Sequence, residues 1–191
     1  MATFTRMLRL LYSFFFRVFG WKIAGHPPAL KKYLIVVAPH TSNWDFFLGL
    51  AVRSIQRIPA NFLGKEELFR PPYGWIFRKL GGYPVNRKSS THLVDQIVAL
   101  ARKEDRFIVA IAPEGTRSKV EKWKTGFYHI AHGAGIPIVM VSIDYPSKTL
   151  TWAPPLWTSG NLEKDAPEMD LFFKGKTGKT RPAATVLGTV R

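Results

Sequence analysis

Three mainly apolar, largely β-branched runs dominate the chain: Tyr33 to Ala38 (YLIVVA), Arg106 to Ala112 (RFIVAIA) and Ile136 to Ile143 (IPIVMVSI). Each has strand length and no polar alternation. A strand without a polar face must be covered on both sides, as parallel strands are when helices pack above and below them. Helical patterns fall between the runs. Asp45 to Ile55 carries apolar residues at helical spacing, Ser90 can cap a helix presenting Leu93, Val94, Ile97, Leu100 and Ala101 on one side, and a further helix is expected near Gly126 to His132. Asn61 to Lys65 reads as a short strand, Pro72 to Leu80 as a short helix, and Gly81 to Arg87 as an extended stretch. This alternation predicts a single α/β domain with a central mixed, mostly parallel sheet flanked by helices, a size that 191 residues suit. Ligands of such sheets gather beyond the carboxyl ends of the strands.

Two loops with chemically useful residues begin at such ends. In Pro39-His40-Thr41-Ser42-Asn43 the Thr, Ser and Asn can cap the helix that follows, and His40 precedes Asp45 by five positions across a turn. The chain folds back there. An aspartate in the first helical turn can accept a hydrogen bond from one imidazole nitrogen, leaving the other to take a proton from an alcohol. The same aspartate also suits an ordinary helix start, where it meets the dipole. The second loop, Pro113-Glu114-Gly115-Thr116-Arg117-Ser118, sets a carboxylate and a guanidinium around a glycine that lets backbone approach a ligand. An arginine fork suits phosphate, and Glu114 is expected to orient Arg117 or to hold a hydroxyl. Arg87 and Lys65 offer further cations, which together would make a phosphate site. The other histidines carry less: His26 lies in a Pro-rich linker, His92 in a helix start, and His129 with His132 lacks a third metal ligand, so no metal is expected.

Composition narrows the partners. Lysine and arginine number 28 against 13 acidic residues, a formal charge of +15, which draws phospholipid headgroups, nucleic acid, coenzyme phosphates or acidic carrier proteins. Nucleic acid is disfavoured, because the aromatics concentrate near the N-terminus and at core positions instead of alternating with lysines. The absence of cysteine excludes disulfides, thiolate zinc sites and a cysteine nucleophile. A serine hydrolase would show G-x-S-x-G, which does not occur. The tail's GKTGKT is no P-loop, since Phe173 stands where the first glycine should be.

Residues 1–25 form a separate segment. Arg6, Arg9 and Arg17 interrupt its apolar run before the roughly 20 residues that a spanning helix needs, and no small-residue cleavage site follows. Wound as a helix, it sets Arg6, Arg9, Ser13 and Arg17 in one stripe and leaves Met7, Leu8, Leu10, Leu11, Phe14, Phe15, Val18 and Phe19 for the acyl boundary, with Trp21 and Lys22 at headgroup level. The expectation is an amphipathic helix lying on a membrane; the alternative is a terminal helix docked on the protein's own core. Residues 26–173 then make the main domain. Residues 174–191, with five basic side chains and no acidic one, are expected to be partly disordered.

Taken in order, His40-x4-Asp45, Gly82 to Arg87, Glu114-Gly115-Thr116-Arg117 and the strand carrying Pro137 in GIPIVMVSID give the chain a specific likeness. It resembles the glycerolipid acyltransferases that act on glycerol-3-phosphate and its 1-acyl derivative. The resemblance implies a glycerol-3-phosphate acyltransferase-like fold in which His40 deprotonates the acceptor hydroxyl and Asp45 supports it. It also implies that Arg87, Glu114, Gly115, Thr116 and Arg117 shape the acceptor phosphate site, with Lys65 as a further candidate and Pro137 structural. The donor would be acyl-CoA or acyl carrier protein, the acceptor a lysolipid with lysophosphatidate as default, and neither cofactor nor metal is called for. Membrane lipids would be partners, at the cytoplasmic face of a membrane in peripheral or monotopic fashion. Pro84 and Ala112-Pro113 depart from the family pattern, leaving glycerol-3-phosphate, another lysophospholipid or an amino-acid lipid as other acceptors.

Overall fold

In the computed structural model, which describes residues 2–85 and 90–187, the three apolar runs form the middle of a seven-stranded sheet. The strands are β1 (Lys22–Ala24), β2 (Lys32–Ala38), β3 (Asn61–Lys65), β4 (Gly82–Val85), β5 (Phe107–Ile111), β6 (Ile138–Asp144) and β7 (Thr149–Leu156). Their spatial order is β1-β7-β6-β2-β5-β3-β4. From β6 to β4 every pairing is parallel; β7 runs antiparallel to β6, and β1 pairs parallel with β7. The mixed, mostly parallel α/β architecture is therefore the one expected. Helices α1 (Ala2–Val18), α2 (Trp44–Ile55), α3 (Gly74–Lys79), α4 (Ser90–Lys103), α5 (Gly126–Ala134) and α6 (Leu162–Phe173) complete the fold.

Strand alternation divides the core. Leu34, Val36, Ala38, Phe107, Val109, Ile138 and Met140 face α4, α5 and α6, which bury Ile97, Ala101, Phe127, Ile130, Ala131 and Met169 against them. Tyr33, Ile35, Ile108, Val139, Val141 and Ile143 face the other way, onto Phe16 of α1 and Ala51 and Val52 of α2. All seven residues of β6 are buried, as the absence of a polar face requires. Strand β2, central among the parallel strands, has β5 on one side and β6 on the other, so the loops leaving these three strands open onto one edge of the sheet.

Two segments differ from the sequence reading. The helix expected over residues 1–25 ends at Val18, because Gly20 at φ +73° lets the Gly20 and Trp21 amides return to the carbonyls of Arg17 and Phe16; the chain then joins the sheet as β1. Helix α1 is both docked and open. Phe16 is buried and Tyr12 half-buried against the sheet, yet Met7, Leu10, Leu11, Phe14, Phe15, Val18 and Phe19 remain exposed. Residues 174–187, expected to be partly disordered, instead fold back as a strap: Thr177 bridges Pro182, Thr185 bridges Lys122, and Val186 is buried. Burial of Val186 and a buried ion pair of Arg181, described below, supply the order that composition alone did not suggest.

Candidate active site

His40 sits two residues beyond β2, where the chain turns into α2, and Asp45 lies in the first turn of that helix. The helix start is capped from within. Asp45 Oδ2 accepts the Thr41 and Ser42 amides at 2.7 and 2.8 Å, while Ser42 Oγ accepts the Trp44 amide at 3.2 Å. Asn43, at the cap position itself, makes no side-chain cap bond. A carboxylate reaching back to the amides ahead of its helix fixes the turn, and the same oxygen lies 3.2 Å from His40 Nδ1. An anionic acceptor at Nδ1 favours the tautomer protonated there, which leaves Nε2 as the proton-accepting nitrogen. The side chains differ sharply in exposure: His40 is 27% exposed and Asp45 only 1%.

Tyr145, which sequence reasoning missed, completes the pair. It follows β6 directly, and its hydroxyl donates to Asp45 Oδ1 at 2.6 Å, with the Trp21 ring set edge-on at 5.1 Å. Burial pushes the Asp45 carboxyl upward, but the hydrogen bonds from His40, Tyr145, Ser42 and Thr41 together outweigh it and hold the group below the usual carboxylate range. Burial and the neighbouring Asp45 charge push the Tyr145 phenol well above its usual value, so it stays a donor. The available signal was its place just past the end of a central strand.

Glu114 leaves β5, the neighbour of β2. Its side chain is fully buried, and Oε2 accepts from Arg181 Nη2 at 2.8 Å. The expected partner Arg117 is not the one it meets. Burial raises the Glu114 carboxyl above its ordinary value, opposed only in part by the Arg181 guanidinium and the His40 backbone. With no exposed surface, Glu114 supports the site from beneath and offers no atom for an acceptor hydroxyl in this conformation. Gly115 turns at φ +67°, and Thr116 accepts the Ser118 amide at 3.2 Å. Thr116, Arg117 and Lys65, the last residue of β3, are exposed on the same carboxyl edge, and Arg87 lies outside the described residues.

The strap closes the arrangement. Tyr145 donates its amide to the Thr177 carbonyl at 2.8 Å, and Thr177 returns its own amide to Asp144 at 2.9 Å. Gly178 lies so close to Thr41 that an added Cβ would stand 2.5 Å from the threonine oxygen. Lys179 Nζ sits 5.5 Å above the exposed Trp44 ring. The edge thus combines a supported imidazole with exposed cations, an arrangement able to remove a proton from an alcohol held by an anionic group.

Residues 22–144 match the family model described as Acyltransferase. The chain is 30% identical over 155 residues to the 1-acyl-sn-glycerol-3-phosphate acyltransferase of Salmonella typhimurium, covering 76% of this chain and 60% of that protein. The enzyme of the same name from Escherichia coli is 28% identical over 158 residues, covering 78% and 62%. The chain therefore spans about three fifths of the length of these relatives. The crystal structure of the 1-acyl-sn-glycerophosphate acyltransferase PlsC from Thermotoga maritima shares the fold, with a TM-score of 0.58 at 19% identity over 92% of this chain and 81% of that one.

Proposed function

Because the chain belongs to the acyltransferase family, whose model spans residues 22–144, we propose that it moves a fatty acyl group from a thioester donor to the free hydroxyl of lysophosphatidate. The observation that carries this reading is the imidazole at a strand's carboxyl end, held at 3.2 Å by a buried carboxylate. His40 Nε2 takes the acceptor's hydroxyl proton as the oxygen attacks the thioester carbonyl, and Asp45 stabilises the imidazolium that forms. Collapse of the tetrahedral oxyanion breaks the carbon–sulfur bond, and the imidazolium returns its proton to the departing thiolate. The products are phosphatidate and a free thiol. Arg117 and Lys65 stand on the same edge for the acceptor phosphate, where Arg117 can donate two bonds at once. Acyl-CoA and acyl carrier protein both present the required thioester, and both are anionic partners suited to a chain of formal charge +15.

The acceptor and product are lipids, and α1 offers a surface for them. Its exposed Leu10, Phe14 and Val18 line one side, with Arg6 and Arg17 also exposed. No helix among the described residues is long and apolar enough to cross a membrane. The reading places α1 in the interface, its apolar side in the acyl boundary and its arginines on phosphate, at the cytoplasmic face.

The test is transfer itself. Protein incubated with lysophosphatidate and acyl-CoA, and in parallel with acyl carrier protein thioester, should release free thiol and yield phosphatidate by mass spectrometry. His40→Ala should lower the rate at least about 100-fold with the fold unchanged by circular dichroism. Parental rates in that variant would rule His40 out as the base.

A further inference from the structure

Arg181 lies well beyond the segment that matches the family model, in the strap whose composition suggested disorder. Its placement is specific. Nη2 meets Glu114 Oε2 at 2.8 Å and the Ser118 carbonyl at 2.7 Å, so one nitrogen ties both ends of the loop after β5. The pair is largely withdrawn from solvent, with the glutamate side chain 0% exposed and the arginine 14%. A carboxylate so placed needs a counter-charge, and Arg181 supplies one. Gly178, three residues before Arg181, packs its backbone onto Thr41 next to His40, and the Glu114 carboxyl lies near enough to the His40 backbone for its pKa to be lowered by it. The strap therefore meets the histidine turn directly through Gly178, and through Arg181 it holds the carboxylate that lies beneath that turn.

We infer that Arg181 is a positioning residue for acyl transfer: by compensating Glu114 and tying the 114–118 loop, it fixes the backbone from which His40 projects. It touches neither donor nor acceptor in this reading, which rests on the transfer reaction proposed above. Without Arg181 the buried carboxyl takes up a proton or draws in water, and in either case its hold on the His40 turn changes. A displacement of the base on the order of 1 Å is enough to lose about 100-fold in rate.

Arg181→Met and Arg181→Lys separate this role from plain stapling. Since a single nitrogen makes both contacts, an ammonium can replace it. Arg181→Met should lower kcat about 10- to 100-fold with KM for lysophosphatidate within about threefold of the parent, and Arg181→Lys should restore kcat to within about threefold. A parental kcat per folded molecule in Arg181→Met, or a raised KM at unchanged kcat, overturns the inference. Should Arg181→Met fail to fold, the double variant Glu114→Gln with Arg181→Met removes both charges together, and a parental kcat in it has the same force. A second readout stands apart from the reaction: in 15N-histidine spectra the His40 ring signals, identified by their loss in His40→Gln, should move in Arg181→Met and return in Arg181→Lys. Unmoved signals sink the positioning role, whereas a parent that transfers to no acceptor while these signals move sinks only the proposed reaction.

Discussion

Asp45→Asn tests the base assembly with the least disturbance of shape. The asparagine carbonyl can take the place of Oδ2 and keep the Thr41 and Ser42 amides, bonded there at 2.7 and 2.8 Å, while its NH2 faces the Tyr145 hydroxyl, which can rotate to accept. Folding should survive with a loss of about 1 to 2 kcal/mol, since charge-assisted bonds become neutral ones. Catalysis should suffer more. The imidazolium formed during transfer would lose a full negative charge at 3.2 Å, a Coulomb difference of about 5 kcal/mol at an effective dielectric of about 20. Water reaches His40 and the amide dipole replaces part of that interaction, which leaves roughly 3 to 4 kcal/mol, or about 100- to 1000-fold in kcat. The assay is thiol release at saturating acceptor, with the melting temperature followed in parallel. The pH dependence gives a second reading. The Asp45 carboxyl lies below its unfolded value of about 3.9, so its stabilisation is fully present above that pH and is lost as pH falls through the lower folded value. The stability gap between parent and Asp45→Asn should therefore narrow at acid pH. A variant that transfers within about fivefold of the parent would refute the role given to the carboxylate.

Tyr145→Phe keeps the ring against Trp21 but strips Asp45 Oδ1 of its 2.6 Å donor, so unfolding in urea should show a loss of about 1.5 to 3 kcal/mol. Arg117→Ala should raise the KM for lysophosphatidate at least about tenfold while barely moving the KM for the donor; equal changes in both would take Arg117 out of the phosphate site. Leu10→Ser with Phe14→Ser removes exposed apolar surface from α1 without touching the docked Phe16, and should weaken sedimentation with anionic vesicles at least about tenfold. Unchanged sedimentation would place the membrane contact elsewhere.

The parts legible in the sequence are those fixed by local pattern. Continuous apolar runs predict buried parallel strands, and β2, β3, β5 and β6 fall within two residues of their expected limits. His40 and Asp45 were legible for the same reason, since a turn followed by a first helical turn brings them together whatever the rest of the chain does. Strand β7 was hidden by Pro154 and Pro155, which ordinarily demote a strand; here Pro155 lies opposite Val139, at a register shift in the pairing with β6. Tyr145 and Arg181 acquire their roles only through contacts 100 and 67 residues distant in sequence, which no local period encodes. Glu114 shows the same limit from the other side: its motif announced a nearby arginine, and burial brought it a different one.

The span of those contacts bears on how the protein comes to life as it folds. A β2–α2 unit can form its turn early from neighbouring residues, and with it a histidine beside an aspartate, but in a solvated form that still lacks the phenol and the buried counter-charge. Contacts that close such long loops are the slow ones, because chain entropy opposes them until the sheet is nearly whole. In the proposed transfer, reactivity toward a thioester should thus mature late, after most secondary structure is in place, and a half-formed chain would spill little acyl group to water.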